Sequence, residues 1–243
     1  SHDSGTYDLS TTFADDANDI PTWLSPILHN LAGLIDKSKL GPWIRNQAKT
    51  QGLTFTQQLD SGLRFIDFRI DYSSPANASS SAQKDWYVMH MMQSNEKALT
   101  YLQEMRKWQQ EHPSEIVVYW FSHHGTPCSS DSVYANADNQ IKQAFWQQVE
   151  SLFSGSMFDF SSRKLNETTI GSIQQSGQTS VFFIADYQNF TGSSKFATDS
   201  CLIDNDLPGD ATPQKNVNSM LNRYQNANVR IQGDKKQGKF YLM

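Results

Sequence analysis

The sequence predicts an α/β fold with a parallel sheet, organised as one domain over residues 1–243, and three observations carry that reading. Short apolar runs suited to buried strands alternate with amphipathic stretches long enough to cross back over a sheet. Residues able to do chemistry gather at the C-terminal ends of those runs, the face on which α/β proteins build their sites. No internal repeat or interdomain linker divides the chain.

Residues 7 to 50 are irregular: Pro21, Pro26 and Pro42 break weak helical stretches such as Ile27 to Ile35, so an elaborated connection with short helices is expected. Thr54 or Thr56 can cap a short helix that ends at Gly62, directly before a strand over Leu63 to Ile70. Ser73 to Gln83 reads as a polar loop and Trp86 to His90 as the second strand. Ser94 is the expected N-cap, with Glu96 in the first turn, of a helix whose stripe is Ala98, Tyr101, Leu102, Met105 and Trp108 and which Pro113 ends. A third strand spans Glu115 to Phe121, followed by a loop at Pro127 to Ser132 and a helix with Ile141, Phe145, Val149 and Leu152 in line. Ser180 to Ala185 is the fourth strand and Ile203 to Pro213 a loop. A third stripe follows at Val217, Met220, Leu221 and Tyr224, and Phe240 to Met243 is the last strand. All three stripes are core-facing.

Of the 243 residues, 37% are hydrophobic and 12% aromatic, enough to bury a full core and to exclude disorder. Charged residues are 19%, and the mean hydropathy of -0.59 comes from Ser, Thr, Asn and Gln instead. A net charge of -5, a pI near 5.6 and no basic run beyond Lys235-Lys236 leave no field for phosphate backbones, which argues against a nucleic-acid partner. The longest apolar runs, such as Ile116 to Phe121, fall far short of the roughly 20 residues that span a bilayer. Cys128 and Cys201 exclude a disulfide scaffold and a Cys-rich zinc module while leaving room for one bridge. Sequons at Asn77, Asn166 and Asn189 hint weakly at secretion, so a secreted or membrane-peripheral location is expected, with the cytoplasm as the alternative. A first residue that is not Met and a last strand without a closing segment predict a piece of a longer chain.

Asp67 and Arg69 close the first apolar run and His90 the second; Ser122, His123 and His124 follow the third and Asp186 and Tyr187 the fourth. Asp67 and Arg69 are two apart and project to one side of their strand with Leu63 and Phe65, while His90 shares its side with Trp86 and Val88. Each has a structural alternative: Asp67 and Arg69 as an ion pair, His90 as a solvent-facing imidazole. His29, in a helical stretch, and His112, near a helix C-terminus, are assigned to structure. The opening Ser1-His2-Asp3-Ser4-Gly5-Thr6 adds a second His beside a carboxylate and a Gly turn. Two histidines, a carboxylate and a guanidinium are what in-line phosphodiester cleavage needs: a base, an acid and a cation on the phosphate.

His2-Asp3-Ser4-Gly5-Thr6, then Gly62-Leu63-Arg64-Phe65-Ile66-Asp67-Phe68-Arg69, then Tyr87-Val88-Met89-His90, then Pro113-Ser114-Glu115-Ile116-Val117 resemble the ordered motifs of phosphatidylinositol-specific phospholipase C of the X-domain type. The four stand in order over about 120 residues; from Ser180 onward only the strand and helix pattern is similar. The resemblance implies an irregular TIM-type (β/α) barrel, here incomplete at the C-terminus. It implies His2 as the base on the inositol 2-hydroxyl, Arg69 on the phosphate with Asp67 orienting it, and His90 paired to Asp3 as the acid for diacylglycerol. Ser122, His123, Asp186 and Tyr187 are the candidate substrate-binding residues. Arg69 stands where the eukaryotic branch has an acidic Ca²⁺ ligand and Asp3 where it has Asn, so the metal-independent bacterial type is expected, with no cofactor. The bacterial enzymes carry a Lys where this chain has Ser122, and an Arg near Asp186; the family also supports its base with an Asp on a final strand that this chain does not reach.

The expected activity is therefore cleavage of phosphatidylinositol-type lipids to diacylglycerol and a cyclic inositol phosphate, by a monomer working on head groups at a membrane surface. Trp23, Trp43 and Tyr187 are aromatics available there. The rivals are a metal-dependent glycerophosphodiester phosphodiesterase-like barrel and a non-catalytic lipid- or glycan-binding barrel.

Overall fold

The computed structural model describes residues 3–14, 37–76, 78, 82–124, 138–184, 193–198, 203–205 and 240–242. After a 3-10 turn at Thr6–Asp8 come β1 (Leu9–Phe13), α1 (Lys37–Ala48), α2 (Phe55–Asp60), β2 (Phe65–Ser73), β3 (Asp85–His90), β4 (Met92–Lys97), α3 (Ala98–Glu111) and β5 (Val117–His124). Then follow α4 (Asn139–Leu152), α5 (Ile170–Ser176), β6 (Ser180–Ile184), β7 (Phe196–Thr198), β8 (Ile203–Asn205) and β9 (Phe240–Leu242). Seven strands form one sheet in the order β1-β4-β3-β2-β5-β6-β7, and β8 and β9 pair in a second, parallel one. Among the described residues the larger sheet does not close.

Side-chain alternation splits the core in two. Even-numbered residues of β2 (Ile66, Phe68, Ile70) and odd-numbered residues of β5 (Val117, Tyr119, Phe121) pack with Leu102, Met105 and Trp108 of α3 and Phe145, Trp146 and Val149 of α4. The opposite faces, with Val118, Trp120, Val181 and Phe183, pack on Phe158, Leu165 and Ile173, and Phe65 belongs to this side. The stripes of α3 and α4 are thus core-facing, as their spacing predicts, each fully buried side chain contributing roughly 1.5–3 kcal/mol. Thr54 N-caps α2 in a reciprocal capping box with Gln57, and Gly62 turns into β2 at φ +90.

Half the sheet departs from the parallel expectation. β2, β5, β6 and β7 are parallel, but β3 is antiparallel to β2, β4 to β3 and β1 to β4. β2 runs on to Ser73 and β5 to His124, so Asp67 and Arg69 lie within their strand rather than at its end, and residues 122–124 are strand residues. Ser94 is not a helix cap: it lies in β4, where its hydroxyl accepts from Val88 N–H and donates to Glu96 O, and Lys97 takes the N-cap position of α3. The polar run Met92–Lys97 becomes a strand because β1 and β3 satisfy its backbone from both sides. Pro42 lies inside α1 instead of breaking it, since Ile44 and Ala48 bury against Leu9 and Met92, and Gly41 lets the helix approach Thr11 closely. Residues 203–205, expected in a loop, are strand. The helix expected around Val217 to Tyr224, the stretch Ile27 to Ile35, the loop Pro127 to Ser132, Cys128 and Cys201 lie outside the described residues.

Candidate active site

The antiparallel pairing of β3 with β2 begins at Ile70↔Val88, which leaves the first half of β2 without that neighbour. The N-terminal turn fills the edge. Ser4 N–H donates to Asp67 O at 2.9 Å, and Asp67 N–H to Ser4 Oγ at 3.1 Å. Gln58 of α2, fully buried, donates through Nε2 to Ser4 O at 2.7 Å and Leu53 O at 2.8 Å. The turn approaches β3 so closely that a Cβ on Gly5 would stand 2.4 Å from Val88 Cγ1. Further along, Tyr101 O–H donates to Asp8 Oδ2 at 2.5 Å, and burial first, then this bond, push the phenol well above its usual range.

This docking carries Asp3 between the Arg69 guanidinium and the His90 imidazole. Its backbone N–H donates to Asp67 Oδ2 at 3.0 Å, its Oδ1 lies 2.5 Å from Arg69 Nε, and its Oδ2 lies 3.5 Å from His90 Nε2. Arg69 also reaches Asp67, Nη2 to Oδ2 at 3.4 Å. The Asp3 side chain is wholly buried, while those of Arg69 and His90 keep 13% and 22% exposure, so both present an edge to solvent. His90 Nδ1 lies 2.7 Å from the carbonyl oxygen of Ala48, the last residue of α1. A carbonyl only accepts, so Nδ1 carries a proton and Nε2 is the nitrogen left to exchange one. Two of these positions border strained backbone: among the described residues the non-glycine positive φ values are Asp3 at 46° and Met91 at 60°, the single residue between β3 and β4.

The structure thus brings together Asp3, Asp67, Arg69 and His90. Asp67 and Arg69 share a side of β2, as their spacing predicts. His90 arrives by a different route from the one expected: β3 runs back along β2, and its last residue ends beside the N-terminal turn. Asp3, expected beside His90 alone, is also the closer partner of Arg69. Trp120 pairs with Asp67, and after a register shift His123 pairs with Arg69. Ser122 is the residue before it on that strand; for both, the backbone alone is described. His2, Asp186, Tyr187, Trp23 and His29 lie outside the described residues. His112 is the C-cap of α3, stacked on Trp108 at 4.1 Å with Nδ1 at 2.8 Å from Trp108 O. Trp43 on α1 is half exposed. Among the described residues no cluster of three or more His, Cys, Asp or Glu is placed to hold a metal ion, and no helix is long and apolar enough to cross a membrane. The carbonyl of Ala48 had no signal in the sequence, because it is a backbone group selected by where α1 ends.

No known protein-family model matches the sequence. Mouse PI-PLC X domain-containing protein 1 is 32% identical over 118 residues, covering 49% of this chain and 31% of the mouse protein. The human protein of the same name is 30% identical over 124 residues, covering 49% and 33%. The matched region thus spans about a third of the length of these curated relatives. Two structures of the phosphatidylinositol-specific phospholipase C of Staphylococcus aureus are similar in fold at 17% identity. One, from a study of its membrane binding, has a TM-score of 0.52 and covers 80% of this chain and 63% of that one. The other, a histidine-to-tyrosine mutant, has a TM-score of 0.54 and covers 99% and 68%. Sequence similarity over 49% of the chain and fold similarity over most of it agree with the motifs: the chain is similar in sequence to the PI-PLC X domain-containing proteins and in α/β barrel fold to the bacterial phospholipase C, with the larger sheet left open among the described residues.

Proposed function

We propose that this protein cleaves the phosphodiester of phosphatidylinositol-type lipids at a membrane surface, releasing diacylglycerol and a cyclic inositol phosphate. The observation that carries the reading is the buried Asp3 carboxylate, shared between Arg69 Nε and His90 Nε2. Asp67 and Asp3 hold the Arg69 guanidinium from two directions, which preorients it toward a phosphate. A metal ion would have to compete with that guanidinium for the same carboxylates, which supports a metal-independent site.

In the reaction, the inositol 2-hydroxyl oxygen attacks phosphorus as the bond from phosphorus to the diacylglycerol oxygen breaks. His2 takes the hydroxyl proton and His90 returns one to the leaving oxygen. With Nδ1 committed to Ala48, His90 delivers from Nε2; a separation of 3.5 Å from Asp3 is long for a charge-assisted bond and leaves that proton free to be redirected. Arg69 offsets the charge that grows on the phosphate. His123, in register with Arg69, Ser122 beside it, and Asp186 and Tyr187 after β6 are proposed to contact the head group.

The test is turnover of phosphatidylinositol in vesicles with product identification, with and without chelator. A cyclic inositol phosphate formed at a rate within about twofold in chelator is expected. Activity lost to chelator and restored by Ca²⁺ or Mg²⁺ would promote a metal-dependent phosphodiesterase, and binding without turnover a non-catalytic barrel.

A further inference from the structure

Thr6 ends the motif that contributes Asp3, is fully buried, and touches none of the reacting groups. Its hydroxyl nevertheless joins the two chain segments that hold the Asp3 and His90 pair. Thr6 Oγ1 accepts from Thr50 N–H and from Gln51 N–H, each at 3.0 Å, and donates to Asp3 O at 3.0 Å. Two acceptances and one donation tie this one oxygen to both segments. Thr6 N–H adds a second bond to Asp3 O at 3.1 Å, and Thr50 Oγ1 lies 2.8 Å from the Thr6 hydroxyl. Thr50 follows two residues after Ala48, whose carbonyl fixes His90 Nδ1. On one side, then, the hydroxyl holds the left-handed turn that aims the Asp3 carboxylate; on the other it holds the segment that aims the imidazole.

We propose that Thr6 is a positioning residue: through one hydroxyl it sets the separation of Asp3 Oδ2 from His90 Nε2, and with it delivery of the proton to the leaving group. The inference rests on the function proposed above, and it assigns the cost of losing the hydroxyl to the chemical step rather than to lipid binding. Misplacing a catalytic group by about 1 Å can cost 10² in rate, and Thr6→Val, which keeps the shape but removes the oxygen that accepts from Thr50 and Gln51, should lower kcat by about 10-fold or more with KM within about twofold. The limb of the pH profile that reports the acid should move with it. Thr6→Ser, which retains the oxygen, should stay within about threefold of the parent. A substrate with a better leaving group should recover most of the loss in Thr6→Val, because the acid is then less needed.

An unchanged kcat in folded Thr6→Val would overturn the proposal. Equal loss in Thr6→Ser and Thr6→Val would do so too, assigning the effect to packing of the methyl. Should Thr6→Val not fold, amide exchange in the parent protein decides: Thr50 and Gln51 amides protected as hydrogen-bonded groups support the link, and free-loop exchange rates refute it. A parent protein inactive on phosphatidylinositol would refute the proposed function instead. The imidazole signals of His90 by nitrogen-15 NMR would then decide this inference: a single Nδ1–H form in the parent that averages in Thr6→Val sustains it, and identical signals end it.

Discussion

From β2 through β5 and β6 to β7 the sheet is parallel and its inner surfaces are aromatic; from β2 through β3 and β4 to β1 it is antiparallel and lined with buried polar groups. In the parallel half Tyr119 stacks on Phe182 at 4.6 Å, Phe153 meets both edge-on, and the register across β5 and β6 is unbroken. In the antiparallel half the registers shift between Leu9 and Phe13 and between Tyr87 and Met89, and the N-terminal turn substitutes for a missing stretch of β3. The parallel half is held mainly by non-directional burial and its register shift falls in the β2–β5 pair, between Asp67 and Arg69; the antiparallel edge leaves backbone groups that a docking turn can claim. The described cluster of Asp3, Asp67, Arg69 and His90 sits where the two halves meet, on β2.

The contrast breaks if variants in the parallel half disturb chemistry as much as stability. Phe182→Ala removes a fully buried ring from the aromatic stack and should cost about 3–5 kcal/mol in denaturant unfolding, with kcat of the remaining folded protein unchanged. A lowered kcat in the folded fraction would show that the halves are coupled.

At the junction the opposite pattern is expected. His90→Ala should lower the rate by at least about 10², and Arg69→Lys should fail comparably, because a point charge cannot bind Asp3 and a phosphate through a planar fork. Neither should shift the unfolding midpoint as far as Phe182→Ala. His112→Ala, at the end of α3, should leave turnover near the parent value; if it does not, the division between structural and site histidines is wrong.

Gly5→Ala should fall between the two classes. Val88 is buried and cannot retreat from a Cβ at 2.4 Å, nor Phe55 from one at 3.0 Å, so the turn must move. A loss of about 1–3 kcal/mol in stability is expected together with a lowered kcat. Stability lost with kcat intact would show that the turn can shift without disturbing Asp3.

The smallest effect belongs to the acidic groups around the docked segment. Burial first, then the negative charges of Glu96 and Asp8, raise the Glu104 carboxyl above its usual 4.5. The folded state therefore holds that proton more tightly than the unfolded state, so the ionised group destabilises above its folded value and ceases to do so below the unfolded one. Glu104→Gln should stabilise at neutral pH by no more than a few tenths of a kcal/mol, since Glu104 is largely exposed and screened. The gain should vanish below about pH 4; a gain persisting there would be packing rather than charge.

How much was legible in the sequence follows the same boundary. The α3 and α4 stripes, the Thr54 cap, the buried β6 and the shared side of Asp67 and Arg69 follow from periodicity and capping chemistry, which act over a few residues and need no distant partner. β4 was not legible because Met92–Lys97 has no strand-like composition and is a strand only through its neighbours; α1 likewise survives Pro42 only through packing. The motifs carry Asp3, Asp67, Arg69 and His90 in order, while the reading of apolar runs placed the last three at the ends of parallel strands, and that rule does not describe how they meet.

By itself the sequence determined the α/β class, the two helix faces, the absence of long apolar or basic runs, and the presence of the His, Asp and Arg side chains on which the proposed function rests. All of these are local or compositional, set by side-chain period and charge. Only the tertiary structure decided that β3 runs antiparallel, that Ser4 completes the edge of β2, that Asp3 binds Arg69 as well as His90, and that Ala48 O selects the imidazole nitrogen. Those are pairings of backbone groups distant in the chain, and a backbone amide or carbonyl carries no sequence signature of the partner it will find.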